Sequence, residues 1–192
     1  MKPRVTIVVP MYRVGHYVAN LMHSLSTQSL KDFEIVLVDD ASDDNSLAIA
    51  EESLRSQGLS FAVVRHITNR GVSAARNSGV EAASGESVVC VDSDDVLDER
   101  FIEQLVRAQD QTDTPVAISA FTTRTPLAES LLRPPAILAL DRDTAMVAFL
   151  KRQLPILAPA MLLDTSFVRR KGLHYSESIA FGEDVHFIWQ TL

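Results

Sequence analysis

Ala83-Ser84-Gly85-Glu86-Ser87-Val88-Val89-Cys90-Val91-Asp92-Ser93-Asp94-Asp95 is the stretch from which the fold class is read, because an apolar run stops at three carboxylates within four residues. A strand that is apolar throughout is one covered on both faces. Carboxylates gathered at its end repel one another, and the sequence offers no fixed basic partner for them. A bound divalent cation reconciles them. Hard oxygen ligands suit Mg²⁺ or Mn²⁺, and one or two protein carboxylates leave coordination positions for the oxygens of a diphosphate. A solvated turn with Asp95 or Asp98 capping the next helix accounts for the same residues equally well.

Outward from this strand the first half repeats one pattern. Val5–Val9, Phe33–Val38, Phe61–Arg65 and Ser87–Val91 are apolar or β-branched runs, expected to be covered on both faces. Between them Val18, Leu21, Met22 and Leu25 share one helical face, as do Leu47, Ala50 and Leu54, and later Phe101, Ile102 and Leu105. Alternating strands and helices predict a parallel sheet with right-handed crossovers. The helix from Val72 to Ala83 differs, since its expected inward positions are Ala75, Gly79, Ala82 and Ala83, small enough to let it lie close to the sheet. Beyond Gln109 the pattern loosens. Val116–Phe121, Ile137–Leu140 and Ala160–Leu163 read as strands and Thr144–Lys151 as a short helix, among Pro134, Pro135, Pro155 and Pro159.

In an open α/β sheet, ligands bind beyond the carboxyl ends of the strands. The polar residues sit there: Pro10-Met11-Tyr12 after the first strand, Asp39-Asp40-Ala41-Ser42-Asp43 after the second, and Asp92-Ser93-Asp94-Asp95 after the fourth. At 192 residues and 46% hydrophobic, the chain is expected to form one domain, 1–192, with a core of its own. Its net charge of −7 and lack of a basic stripe argue against a nucleic-acid partner. A single cysteine fits a reducing compartment, and no stretch is long and apolar enough to cross a bilayer. The expected location is therefore cytoplasmic. The final residues, Asp184 to Leu192, read as a helix still in progress, an expectation that the chain continues in the full protein.

Five ordered segments resemble the motifs of family 2 glycosyltransferases with the GT-A fold. They are Pro10-Met11-Tyr12-Arg13, Val38 to Asp44, Asn69-Arg70-Gly71-Val72-Ser73-Ala74-Ala75-Arg76-Asn77-Ser78-Gly79, the Asp92 cluster, and Gly182-Glu183-Asp184. The resemblance runs from Val5 to about Val106 and resumes near Gly182. It implies an α/β, Rossmann-like open sheet, mainly parallel, with a nucleotide-sugar-binding half over 1–109 and a looser acceptor-side half over 110–192. It also implies inverting transfer of a sugar from a nucleotide-diphosphate donor, with a UDP-sugar favoured, to a hydroxyl of a glycan or lipid-linked acceptor. A lipid-linked acceptor is compatible with peripheral association at the inner membrane face.

By that resemblance Tyr12 packs on the nucleobase beside Pro10, and Asp39 accepts a base N–H, with Asp40 close enough to compete. Asp94 holds Mn²⁺ or Mg²⁺, while Asp92 approaches the ribose or the metal shell beside Ser93. Arg76 reaches the nucleotide or ties down Asp39 or Asp92. Asp184 is the general base and Glu183 its helper. Arg13 departs from the Asn often found there. Asp43 or Asp44 reads as a helix cap. His16, His23, His66 and His174 show no ligand spacing and receive no role, His186 reads as a half-exposed helix histidine rather than a metal or phosphate contact, and Phe187 and Trp189 read as core of the last helix rather than as an acceptor pocket.

Rival readings lack their own signatures. A dinucleotide-binding dehydrogenase needs a Gly-x-Gly-x-x-Gly turn where Pro10-Met11-Tyr12-Arg13-Val14-Gly15 stands. A phosphoacceptor domain needs an acidic pair after the first strand, and a nucleotidyltransferase needs a Gly-rich basic loop near the N-terminus. A non-catalytic module of the same fold that binds the sugar nucleotide without transfer remains the alternative.

Overall fold

The computed structural model describes residues 2–125, 128–132 and 142–192. Its order is β1 (Val5–Met11), α1 (Val18–Ser26), β2 (Phe33–Asp39), α2 (Ser46–Ser56), β3 (Phe61–Arg65), α3 (Val72–Ala82), β4 (Ser87–Cys90), α4 (Phe101–Thr112), β5 (Val116–Ile118), β6 (Phe121–Thr125), β7 (Ala128–Leu132), α5 (Arg142–Leu150), β8 (Met161–Asp164), α6 (Thr165–Lys171) and α7 (Glu183–Thr191). The main sheet is ordered β3-β2-β1-β4-β8-β5. β3, β2, β1 and β4 run parallel, as the alternating pattern predicts, whereas β8 is antiparallel to both β4 and β5.

Apolar runs and covered strands coincide in the centre of the sheet. Every residue of β1 and β4 is buried. One apolar core on one face joins Ile7, Val9, Leu37 and Val89 to Leu21, Leu54 and Leu105 of the helices, and a second on the other face joins Val8, Val38 and Cys90 to Ala75, Tyr175 and Phe187. β3 departs from the expectation because it is the edge strand, and its Ala62 and Arg65 are exposed. The predicted strand Val116–Phe121 divides into β5 and the start of β6, which pairs with β7 as a separate two-stranded sheet. The predicted strand Ile137–Leu140 lies outside the described residues.

α3 lies against the sheet as its small residues predict. A Cβ built on Gly79 would stand 2.1 Å from Val8 Cγ1. Ala75, Gly79 and Ala83 are buried, but Ala82 is exposed and Ala74 takes an inward place instead. This close seating carries Arg76, one turn before Gly79, into the interior with only 5% exposure. Cys90 is buried on the same side, and burial pushes its thiol up to about 12.

Candidate active site

The parallel strands deliver their C-terminal loops to one edge. The loops after β1 and β2 are stitched together: Asp40 N–H donates to Met11 O at 2.9 Å, Val14 N–H to Ser46 Oγ at 2.7 Å, and Arg13 N–H to Ser42 Oγ at 3.2 Å. Arg13 adopts a left-handed backbone, φ 53°, a conformation that Asn tolerates better than Arg. Its guanidinium donates twice to Asp43, at 2.6 and 2.5 Å, and lies 5.1 Å from the centroid of the Tyr12 ring. The hydrogen bond from Arg13 holds the Asp43 carboxyl below its ordinary range. Asp43 is therefore a loop clamp. Asp44, whose Oδ1 accepts the Ser46 N–H at 3.0 Å, is the helix-start acid that the capping expectation anticipated, although Asn45 occupies the cap position.

A cleft of about 450 Å³ opens at this edge, lined by Pro10, Tyr12, Asp40, Asn69, Gly71, Val72, Arg76, Asp92, Ser93 and Asp94, among others. Pro10, Tyr12, Asp40, Arg76, Asp92, Ser93 and Asp94 thus come together as expected from the sequence. Asp39, Glu183 and Asp184 are not among the lining residues. Asp39 is buried, with Oδ1 accepting the Ser42 N–H at 3.1 Å and Oδ2 facing Arg65 Nε at 3.5 Å. Asp40 is buried and committed inside the protein, accepting from the backbone of Arg70 and Gly71 and from His66.

The Asp92 cluster does have a fixed basic partner, which the local stretch alone did not offer: it is Arg76, in the ion pair with Asp92 that is one of the two expectations for that residue. Arg76 Nη2 donates to Asp92 Oδ1 at 2.6 Å, and Nη1 to Glu183 Oε1 at 3.2 Å. Burial disfavours the Arg76 charge, but Asp92 beside it more than compensates and holds its pKa above the ordinary value. The guanidinium also lies 5.1 Å from the Tyr175 ring centroid, and its Nε is buried without a hydrogen-bond partner. One arginine therefore spans from the end of β4 to the first residue of α7. Asp95, half-buried beside Asp92 and Asp94, has its carboxyl pushed up to about 6 by burial and by those two charges. The cluster thus keeps more negative charge than Arg76 neutralises. Two hard carboxylates at the cleft with surplus negative charge fit a divalent cation. Among the described residues no three His, Cys, Asp or Glu side chains form a ready-made metal cage, so Asp92 and Asp94 would leave most ligand positions to other oxygens.

α7 begins where the sequence predicts, after Gly182 at φ 85°. Asp184 lies in its first turn, partly exposed, and Oδ1 accepts the Val185 N–H at 2.8 Å. Phe187 is core, stacked on Tyr175 with ring centroids 3.9 Å apart. Trp189 is 42% exposed rather than packed inside, and Phe181 is 95% exposed. Sequence reasoning missed the seam that holds this side to α3. Asn77 Nδ2 donates to Tyr175 O at 2.9 Å, Oδ1 accepts the Tyr175 N–H at 2.8 Å, and Arg70 pairs with Glu177 at 3.2 Å. It also gave no role to His66, which is buried between Asp40 and Ser78.

The sheet order, the converging loops and the carboxylates at the end of β4 define an α/β protein of the GT-A type. Residues 6–163 match the family described as Glycosyl transferase family 2, and the chain belongs to that family. It is 39% identical over 112 residues to EpsH of Bacillus subtilis, a match that covers 58% of this chain and 32% of EpsH. The structure of S. aureus TarS 1–349 in complex with UDP-GlcNAc shares the fold with a TM-score of 0.81 and 24% identity, over 97% of this chain and 52% of that one. The mannosyltransferase PcManGT from Pyrobaculum calidifontis, in complex with GDP-Man and Mn²⁺, gives 0.72 and 20%, over 97% and 51%. The chain thus spans about half or less of the length of these proteins. Among the described residues no helix is long and apolar enough to cross a membrane.

Proposed function

We propose that this chain is the donor-binding and catalytic part of an inverting glycosyltransferase that moves a sugar from a UDP-sugar to the hydroxyl of a glycan or lipid-linked acceptor. The observation that carries this reading is the cleft in which Tyr12, Arg76, Asp92, Ser93 and Asp94 meet at the carboxyl edge of the sheet. TarS in complex with UDP-GlcNAc supports the choice of donor. Tyr12 offers a ring to the nucleobase, with its orientation held by Arg13. Asp39, at the end of β2, accepts a base N–H once Arg65 swings aside. Its exposed guanidinium makes only a 3.5 Å contact there. Asp94 and Asp92 would hold Mn²⁺ or Mg²⁺, which supplies Lewis-acid stabilisation of charge on the departing diphosphate.

Inversion requires a base opposite the leaving group, to take the proton from the acceptor hydroxyl as it attacks the anomeric carbon. Asp184 is assigned that proton, and Glu183 holds the start of α7 through Arg76. Calorimetric titration of UDP, GDP and ADP with Mn²⁺ and with EDTA tests the donor half of the reading. UDP binding that is preferred and metal dependent is expected. Equal UDP affinity in excess EDTA would remove the metal from the mechanism, and absence of any nucleotide binding would remove the donor site. Donor binding without transfer to any acceptor would favour a non-catalytic nucleotide-sugar module.

A further inference from the structure

We infer that His66 is a positioning residue for nucleotide binding, acting through Asp40 on the Asn69–Gly71 turn that walls the cleft. This rests on the nucleotide reading above. His66 has a side chain only 6% exposed and stands between two polar groups, with Nδ1 2.6 Å from Asp40 Oδ1 and Nε2 2.9 Å from Ser78 Oγ. A carboxylate only accepts, so Nδ1 carries the hydrogen, and in the neutral ring Nε2 accepts from the Ser78 hydroxyl. The order carboxylate, imidazole, hydroxyl is that of a hydrolytic triad. Access rules that role out. Ser78 sits inside α3, and neither it nor His66 is among the residues that line the cleft.

What the relay does is visible on the other side of Asp40. The same carboxylate accepts the Arg70 N–H at 2.9 Å and the Gly71 N–H at 2.7 Å. Gly71 has φ 87° and ψ 164°, a region open in practice only to glycine. A backbone in that state persists when its surroundings over-determine it, and here the surroundings are two N–H groups aimed at one buried charge. Asn69, Gly71 and Val72 are the residues this turn contributes to the cleft wall. Asp40 keeps the turn in place as long as its carboxylate is charged and aimed, and the imidazole is its only side-chain donor among the described residues. Without it a buried carboxylate loses a polar partner and is drawn to rotate toward water, which slackens the two backbone bonds.

The test measures UDP affinity with Mn²⁺ by calorimetry, alongside amide hydrogen exchange and thermal melting of the nucleotide-free protein. His66→Ala and the longer amide variant His66→Gln are compared with Ser78→Ala. His66→Ala is expected to weaken UDP binding about tenfold or more, the usual effect of losing a hydrogen bond to a charged group. The Arg70 and Gly71 amides should exchange faster while those of β1 and β4 stay protected. Imidazole added to His66→Ala should restore most of the affinity, His66→Gln should retain part of it, and Ser78→Ala should lose about threefold. A lower melting temperature with unchanged UDP affinity would make His66 purely structural and overturn the proposal. Should His66→Ala fail to fold, His66→Gln and Ser78→Ala carry the same comparison. Parent protein that binds no nucleotide would overturn the donor reading itself; a parent that binds UDP while all three variants match it overturns the relay alone.

Discussion

The proposed donor side and the proposed acceptor side of this molecule are built on opposite terms. On the proposed donor side, charged groups are buried and paired: Asp39, Asp40 and Arg76 are each at or below 5% exposure, and their partners hold the loops that form the cleft. On the proposed acceptor side the candidate groups stand at the surface, with Asp184 partly exposed and Phe181 and Trp189 open to solvent. Strand direction changes at the same boundary, from the parallel β3-β2-β1-β4 set to antiparallel β8. A preorganised cleft suits a ligand whose diphosphate is always the same, and an open surface suits an acceptor shaped by whatever else covers it. Arg76 is the one described side chain ion-paired to both the Asp92 cluster and α7.

The largest expected effect separates the two sides. Asp184→Asn should cut transfer by roughly 10²–10⁴ while leaving UDP affinity within about twofold, read by single-turnover transfer and by titration. Loss of both together would erase the distinction. Next comes the join itself. Arg76→Met leaves the part-exposed Asp92 and Glu183 without their counter-ion and should cost about 1.5–3 kcal/mol of stability, the usual worth of hydrogen bonds to charged groups, measured by denaturant unfolding. A cost below about 1 kcal/mol would put this pair in the class of weak surface bridges.

Within the donor side, Asp39→Ala should weaken UDP binding by on the order of 1–3 kcal/mol by leaving a base N–H unpaired. Unchanged affinity would move that contact to a residue that lines the cleft, such as Asp40. A smaller effect is expected at Asp95, whose carboxyl is raised to about 6 in the folded protein from an ordinary 3.8. A raised carboxyl favours the fold below the unfolded value, and that benefit is lost as pH rises through 6. Asp95→Asn should therefore melt higher than the parent, the gain growing between pH 4 and 6 to about 1 kcal/mol after allowing for solvent screening, and it should shrink when Mn²⁺ binds. Smallest of all is Arg13→Asn. It relieves the left-handed strain and loses the Asp43 clamp, so melting should barely move and UDP affinity should fall less than about threefold.

The parallel core was legible because β1, β2 and β4 bury continuous apolar runs, and the cleft was legible because their polar ends follow directly in sequence. β3 shows where that reasoning fails: an edge strand and a central strand share composition, and only the neighbours tell them apart. The Arg76–Glu183 pair and the Asn77–Tyr175 seam join residues about a hundred positions apart, beyond any local periodicity. His66 was passed over because a lone histidine at a strand end has no spacing signature; its role comes from a loop and a helix that fold back on it. Trp189 follows an amphipathic pattern that counts it as core, while the helix turns it outward.

The burial of Cys90 has a practical consequence for labelling. It is the chain's one cysteine, it is buried, and burial pushes its thiol up to about 12, which disfavours the reactive thiolate. These 192 residues are thus a quiet background for thiol-directed probes. A cysteine introduced at Phe181, 95% exposed and three residues before Asp184, would become the reactive one. A fluorophore attached there could report on binding near the start of α7, with no other residue changed.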